Sequence, residues 1–278
     1  FAKDVMPEYI QPSGFILLRV IGAIVLFGLS YTFFIRQKIE YKDIYRFAIC
    51  GLFGVAINQL LFFEGLNLTT PINAAIIMTS NPILVIILSS IILHEKITGL
   101  KIAGIFLGFI GAATLILNNG GVNLNNNHLI GNICILINAT SYGLYLVLVK
   151  PLMQKYNPIT VMFMVFFFGL LFVLPFGFQE LQLVSWHLMP KRILWQVLFV
   201  VVCTTFIAYL FNSSALSQLN PSTVSTYIYI QPLLATFIAI WLQSDTLDNT
   251  KIGASILIFI GVYLVSIQKK TARTHNLS

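Results

Sequence analysis

Residues 69–113 read TTPINAAIIMTSNPILVIILSSIILHEKITGLKIAGIFLGFIGAA. One apolar run, 71–93, is interrupted by Asn81-Pro82 and ends at His94-Glu95. A second run, 100–117, follows Thr98 and carries Gly104, Gly108 and Gly111. Each approaches the 20 or so apolar residues that a helix needs to cross a bilayer. The pattern returns in residues 220–262, NPSTVSTYIYIQPLLATFIAIWLQSDTLDNTKIGASILIFIGV. At an offset of 150, Pro71 falls on Pro221 and Asn81-Pro82 on Gln231-Pro232. Glu95 falls on Asp245, Thr98 on Asp248, Lys101 on Lys251 and Gly111 on Gly261. Two prolines, a lysine and a glycine in one register read as an internal duplication.

Composition agrees with a lipid solvent. The 278 residues are 58% hydrophobic and 9% charged, against roughly 25% charged in soluble domains. A disordered chain is excluded too, because disorder needs low hydrophobicity and high charge. The net charge of +7 sits between apolar runs, where it orients a membrane protein. No nucleic-acid partner is expected. Cys50, Cys134 and Cys203 lie inside apolar runs and read as small packing residues, not as a disulfide framework or a metal site.

The expected spans are 14–35, 45–65, 71–93, 100–117, 129–149, 158–178, 193–213, 221–243 and 251–267. The second copy holds five of them and the first copy four. The reading is therefore a ten-span plan whose first span lies before Phe1. The expected domains are a first repeat, 1–118, a second repeat, 129–268, and a basic tail, 269–278. Five is odd, so two copies enter the membrane from opposite sides, as in inverted-repeat transporters. With the carboxyl terminus inside, the inner segments carry Arg36, Lys38, Lys42, Arg46, Lys96, Lys101, Lys150, Lys155, Lys269, Lys270 and Arg273. The outer segments carry only Lys3, Lys191, Arg192 and Lys251. That bias places the carboxyl terminus in the cytoplasm.

The run 69–113 resembles the signature half of the drug/metabolite transporter superfamily, EamA type, and 220–262 is similar to its second copy. Pro12 followed by Arg19 resembles the start of the family's second span. The resemblance covers essentially the whole chain. It implies an all-α bundle of ten helices in two inverted repeats, cytoplasmic termini, and export or exchange of small metabolites. Asp245 departs from the pattern, since glutamate is usual there.

Several polar residues inside the spans are candidates for a substrate path. A proline in a helix removes one backbone bond and frees a carbonyl, so Pro82 and Pro232 mark kinks or gates. Asn81 and Gln231 stand beside them, and Tyr227 shares a helical face with Gln231. Asn138, Tyr142 and Tyr145 form one face of the sixth span. Asn58, Gln59, Tyr209 and Asn212 occupy corresponding faces of the third and eighth spans. The alternative for all of these is interhelical hydrogen bonding, worth about 0.6 kcal/mol on average. Glu64 reads as an interfacial residue or a proton-coupling carboxylate, with Arg19 as its expected partner. Arg19 facing an anionic substrate group is the alternative. Glu95, Thr98, Asp245 and Asp248 read as helix-end residues. Gly104, Gly108 and Gly111 make a small-residue face for close packing, or else for a homodimer.

His94, His128, His187 and His275 have no metal-ligand spacing, and no phosphate-binding loop occurs. The chain is not expected to be an enzyme or to need a metal or cofactor. The expected function is secondary transport of small neutral or zwitterionic metabolites such as amino acids. The alternatives are proton-coupled efflux of drugs or toxic metabolites and a membrane protein without transport. The expected place is the bacterial inner membrane, with the bilayer and a small-molecule substrate as partners.

Overall fold

The computed structural model describes residues 5–6, 8–118, 129–241 and 249–267. The helices are α1 (Pro12–Ile35), α2 (Tyr41–Leu68), α3 (Pro71–Met78), α4 (Asn81–Ile92), α5 (Gly99–Asn118) and α6 (Leu129–Lys155). They continue as α7 (Pro158–Gln182), α8 (Lys191–Gln218), α9 (Pro221–Thr226), α10 (Ile230–Trp241) and α11 (Asn249–Ser266). No strand occurs among the described residues. Eight helical stretches are long and apolar enough to cross a membrane. The expected ninth span, 221–243, runs beyond the described residues; within them it is α9 and α10, separated by a 3-10 turn at Tyr227–Tyr229.

Local chemistry sets the helix starts. Proline occupies the first turn of α1, α3, α4, α7 and α9, where its fixed φ fits and its missing N–H costs nothing. The Thr70 hydroxyl accepts from the Asn73 N–H at 3.1 Å. The Asn157 side chain accepts from the Ile159 N–H at 3.0 Å. Such caps contribute about 1 kcal/mol each.

The helices pack in antiparallel pairs drawn from the two halves of the chain. α1 lies along α7, with the Gly14 N–H donating to Glu180 Oε2 at 2.8 Å near one end and Tyr31 stacked on Phe163 near the other. Between them Phe27 stacks on Phe166, centroids 5.7 Å apart. Lipid tails are as apolar as leucine, so such pairs depend on close fit. The fit is closest between α5 and α11. A Cβ on Gly104 would lie 2.6 Å from the Gly261 carbonyl oxygen, and one on Gly111 would lie 2.7 Å from that of Ala254. At the 150-residue offset, Ala254 corresponds to Gly104 and Gly261 to Gly111. The same contact is thus made twice, with the two helices exchanging roles. The glycine face of α5 is spent inside the chain.

Candidate functional site

Two helices widen at corresponding places. α2 is π-helical over Leu52–Ile57, and α8 over Val200–Ile207. Shifted by 150, the first range becomes 202–207. A π-helical turn shifts the face that follows it, and such turns often sit at functional sites. Here they immediately precede Asn58 and Gln59 in α2, and Tyr209 in α8.

These residues border a cavity of about 220 Å³. Its polar lining is Arg19, Asn58, Gln59, Asn138, Tyr209 and Gln231. Phe62, Phe63, Met78, Tyr142 and Ile228 form apolar and aromatic walls. The lining comes from the level of the α3–α4 and α9–α10 breaks and from the face where α1 begins and α2 ends.

Arg19 is the cavity's cation. Its Nε donates to Thr205 Oγ1 at 3.0 Å, and its guanidinium carbon lies 5.5 Å from the Phe63 ring centre. Thr205 belongs to the π-helical stretch of α8 and donates its own hydroxyl to the Val200 carbonyl at 2.9 Å. Among the described residues no carboxylate pairs with Arg19. One face of the guanidinium is fixed, and the rest of its donor fork is free for a ligand.

The acceptors are two amides. Asn138 is 1% exposed. Its Nδ2 donates to the Asn58 carbonyl at 2.5 Å, which fixes the amide's orientation and leaves Oδ1 buried without a partner. Gln59 is 3% exposed. Its Nε2 donates to the Tyr209 hydroxyl at 3.4 Å, and its Oε1 is also unpartnered. A buried unpaired acceptor costs about 1–3 kcal/mol. Both amides and the Arg19 guanidinium border the same cavity.

A second cavity of about 170 Å³ adjoins the first, bounded by Tyr142, Tyr145, Ala208, Tyr209, Asn212 and Ser213. Tyr142 and Tyr209 border both cavities. Asn212 Nδ2 donates to the Tyr142 hydroxyl at 2.8 Å and holds that ring in place. Tyr145 and Asn212 therefore face the second cavity and not the first.

Three expectations need correction. Asn81 does not border the cavity: it is fully buried, and its Nδ2 donates to the Ala139 carbonyl at 2.7 Å, so it joins α4 to α6. Tyr227 leaves the Gln231 face, because the 3-10 turn breaks the four-residue register, and it is 46% exposed. At Pro82 and Pro232 the helix is interrupted just ahead of the proline, after Met78 and at Tyr227–Tyr229, where a proline four residues on frees a carbonyl. Glu64 is exposed on α2, while Arg19 turns to Thr205, and the expected Arg19–Glu64 pair is not formed.

The helix-end residues divide. Thr98 caps α5, its Oγ1 accepting from the Lys101 N–H at 3.3 Å. Glu95 reaches beyond its own helix end to Lys101 and Ser222. Asp245 and Asp248 lie outside the described residues. All three cysteines are free, with Cys50 buried. Among the described residues no three His, Cys, Asp or Glu side chains gather as a metal set.

Thr205 and Phe63 complete the site and were not singled out by sequence, whereas Met78 and Ile228 stand four residues before Pro82 and Pro232, where a freed carbonyl is expected. Thr205 carried a signal, since it stands beside Thr204 and four residues before Tyr209 in a largely apolar run.

An all-helical, multi-pass bundle with a polar cavity at the level of two helix breaks belongs to the class of integral membrane transporters. The EamA-like transporter family model matches residues 1–117 and 129–267, and the chain belongs to that family. It is 26% identical over 262 residues to the uncharacterized transporter YyaM of Bacillus subtilis (strain 168), covering 93% of this chain and 85% of that protein. An uncharacterized transporter of Archaeoglobus fulgidus is 24% identical over 258 residues, covering 93% and 90%. The WAT1-related protein At3g53210 of Arabidopsis thaliana is 22% identical over 261 residues, covering 84% and 71%. A solved crystal structure superposes with a TM-score of 0.78 at 15% identity, covering 96% of this chain and 93% of that one. At that identity the likeness concerns the fold alone.

Proposed function

We propose that this transporter carries small zwitterionic metabolites, with α-amino acids as the leading class, by alternating access. The observation that carries the reading is the pairing of Arg19 with two buried unpartnered acceptors, Gln59 Oε1 and Asn138 Oδ1. A carboxylate suits the free donors of the guanidinium, since charge-assisted bidentate pairs are the strong ones. An ammonium group brings three donors and suits the two amide oxygens. Phe62, Phe63, Met78 and Tyr142 offer an apolar wall for a side chain.

Access would alternate by movement of the two halves, 1–118 and 129–268, about the breaks at 78–81 and 226–230. The breaks favour this reading because their backbone is already outside regular helix. The charge bias supports a cytoplasmic carboxyl terminus and a bacterial inner membrane. Proton-coupled efflux through Glu64 has weaker support, because that carboxylate lies outside the cavity.

Counterflow into proteoliposomes tests the reading, with amino acids, nucleobases and cationic drugs as the panel. Uptake confined to amino acids, lost in Gln59→Leu and in Asn138→Leu, supports it. Uptake of cationic drugs alone overturns it.

A further inference from the structure

At the face opposite the cavity, α9 packs against α4. Ser222, Thr223, Ser225 and Thr226 of α9 are 0–3% exposed. The contact is polar in composition but has little bonding across it. The Ser225 and Thr226 hydroxyls turn back to their own helix, donating to the Ser222 carbonyl at 3.1 and 2.7 Å. Ser89 Oγ is buried with no partner. A tightly packed helix interface has no need of this much hydroxyl surface, whereas a substrate path that opens in another state does.

One network joins the two sides. Glu95 Oε1 accepts from both Lys101 Nζ and the Ser222 hydroxyl, and Lys101 Nζ lies 3.4 Å from Ser222 Oγ. Glu95 and Lys101 are 11% and 14% exposed. The backbone aims the carboxylate: His94 adopts a left-handed φ of 53°, which non-glycine residues seldom take, and the Glu95 N–H folds back onto the Ser89 carbonyl at 3.2 Å. On the other side, Lys150 Nζ reaches the carbonyls of Leu216 and Leu219 at 2.7 and 2.8 Å. It thereby fixes the turn that presents Ser222. At the 150-residue offset Ser222, Ser225 and Thr226 are replaced by Ile72, Ala75 and Ile76, and Thr223 by Asn73, so α3 carries one polar side chain where α9 carries four hydroxyls.

We propose that Glu95, Lys101 and Ser222 form a latch that holds the α4–α9 path closed while the Arg19 cavity is open to the opposite face. The proposal rests on the alternating-access reading above. Breaking the latch shifts the population toward the state in which the Ser/Thr side of α9 is wetted. A charge-assisted bond is worth enough to move such an equilibrium about tenfold or more.

The test uses the full protein in membrane vesicles, with Cys50, Cys134 and Cys203 replaced by alanine. Ser225→Cys reports on the closed path and Phe62→Cys on the cavity, each read as the rate of modification by a membrane-impermeant maleimide. Glu95→Gln and Ser222→Ala are each expected to raise Ser225→Cys labelling about tenfold and to lower Phe62→Cys labelling. The double exchange Glu95→Lys with Lys101→Glu is expected to restore protection. A purely structural role predicts lower thermal stability with the ratio of the two labelling rates unchanged, and that result overturns the latch. Labelling needs no substrate, so the two ideas fail separately. A shifted ratio without transport of any amino acid keeps the latch and removes the function. Transport with an unshifted ratio does the reverse.

Discussion

Gln59 and Tyr209 stand 150 residues apart, and their side chains meet, Gln59 Nε2 donating to the Tyr209 hydroxyl at 3.4 Å. Each follows the π-helical stretch of its own helix. Residues in corresponding places in the two halves thus touch at the wall of the Arg19 cavity. The polar centre of the molecule lies where the halves face each other, with Arg19 beside it.

Arg19 is expected to read the substrate's carboxylate. Arg19→Gln should lower counterflow efficiency for an amino acid roughly 10–100-fold, the loss of one charge-assisted bond of about 1.5–3 kcal/mol. Arg19→Lys should recover only part of it, because lysine lacks the planar fork. In the unaltered protein the methyl ester of the same amino acid should compete poorly. Competition assays with acid and ester check this.

Gly104 and Gly111 are expected to be intolerant of side chains. A Cβ at either would lie 2.6–2.7 Å from a backbone carbonyl oxygen, and such overpacking costs about 1–3 kcal/mol. Gly104→Ala should lower the melting temperature in detergent. Gly99→Ala, where a Cβ meets nothing within 4 Å, should not lower it. Thermal unfolding followed by tryptophan fluorescence separates the two.

Lys150 is expected to hold the α8–α9 turn. Its ammonium serves the carbonyls of Leu216, Ser217 and Leu219, so Lys150→Met leaves them without that donor. The expected cost is about 1–3 kcal/mol, seen as a lower unfolding midpoint. A side chain that merely filled space would be replaced by methionine without loss.

The segment joining α1 and α2 should respond to acid. Lys155 and then Lys42 hold the Glu40 carboxyl below its ordinary value of 4.5, through contacts of 2.7 Å each. A lowered carboxylate pKa contributes stability that is present above 4.5 and lost as pH falls through the folded value. The pair is exposed and salt-screened, so the effect is small. Limited proteolysis of the 36–43 segment should be faster in Lys155→Ala than in the unaltered protein at pH 7. The difference should close once the pH is well below 4.5.

Much of this was legible in the sequence because its signals are local or periodic. Apolar runs gave the helices, and the offset of 150 brought Gln59 onto Tyr209 and Gly111 onto Gly261. Gln59, Asn138, Tyr142 and Tyr209 were recognised as polar residues with no reason to face lipid. What was missed depends on geometry that spacing does not carry. A π-helical stretch rotates the face after it, and the 3-10 turn at 227–229 took Tyr227 away from Gln231. Asn81 looked like a path residue because an amide beside a break is polar either way; only the Ala139 carbonyl decides its role. Arg19 had Glu64 as a plausible partner on the same side of the membrane, yet Thr205 lay closer. Ser222 joins Glu95 from 127 residues away, a distance that no local pattern spans.

The central claim is that the Arg19 cavity holds the substrate. The most direct test is modification of Met78→Cys, a cavity-lining position, in a background with the native cysteines replaced. The account predicts that a transported amino acid slows maleimide labelling in proportion to its occupancy. The protection should vanish in Arg19→Gln while the unliganded labelling rate stays the same. A substrate that is transported yet leaves Met78→Cys labelling unchanged at saturation would contradict the account and place the site elsewhere.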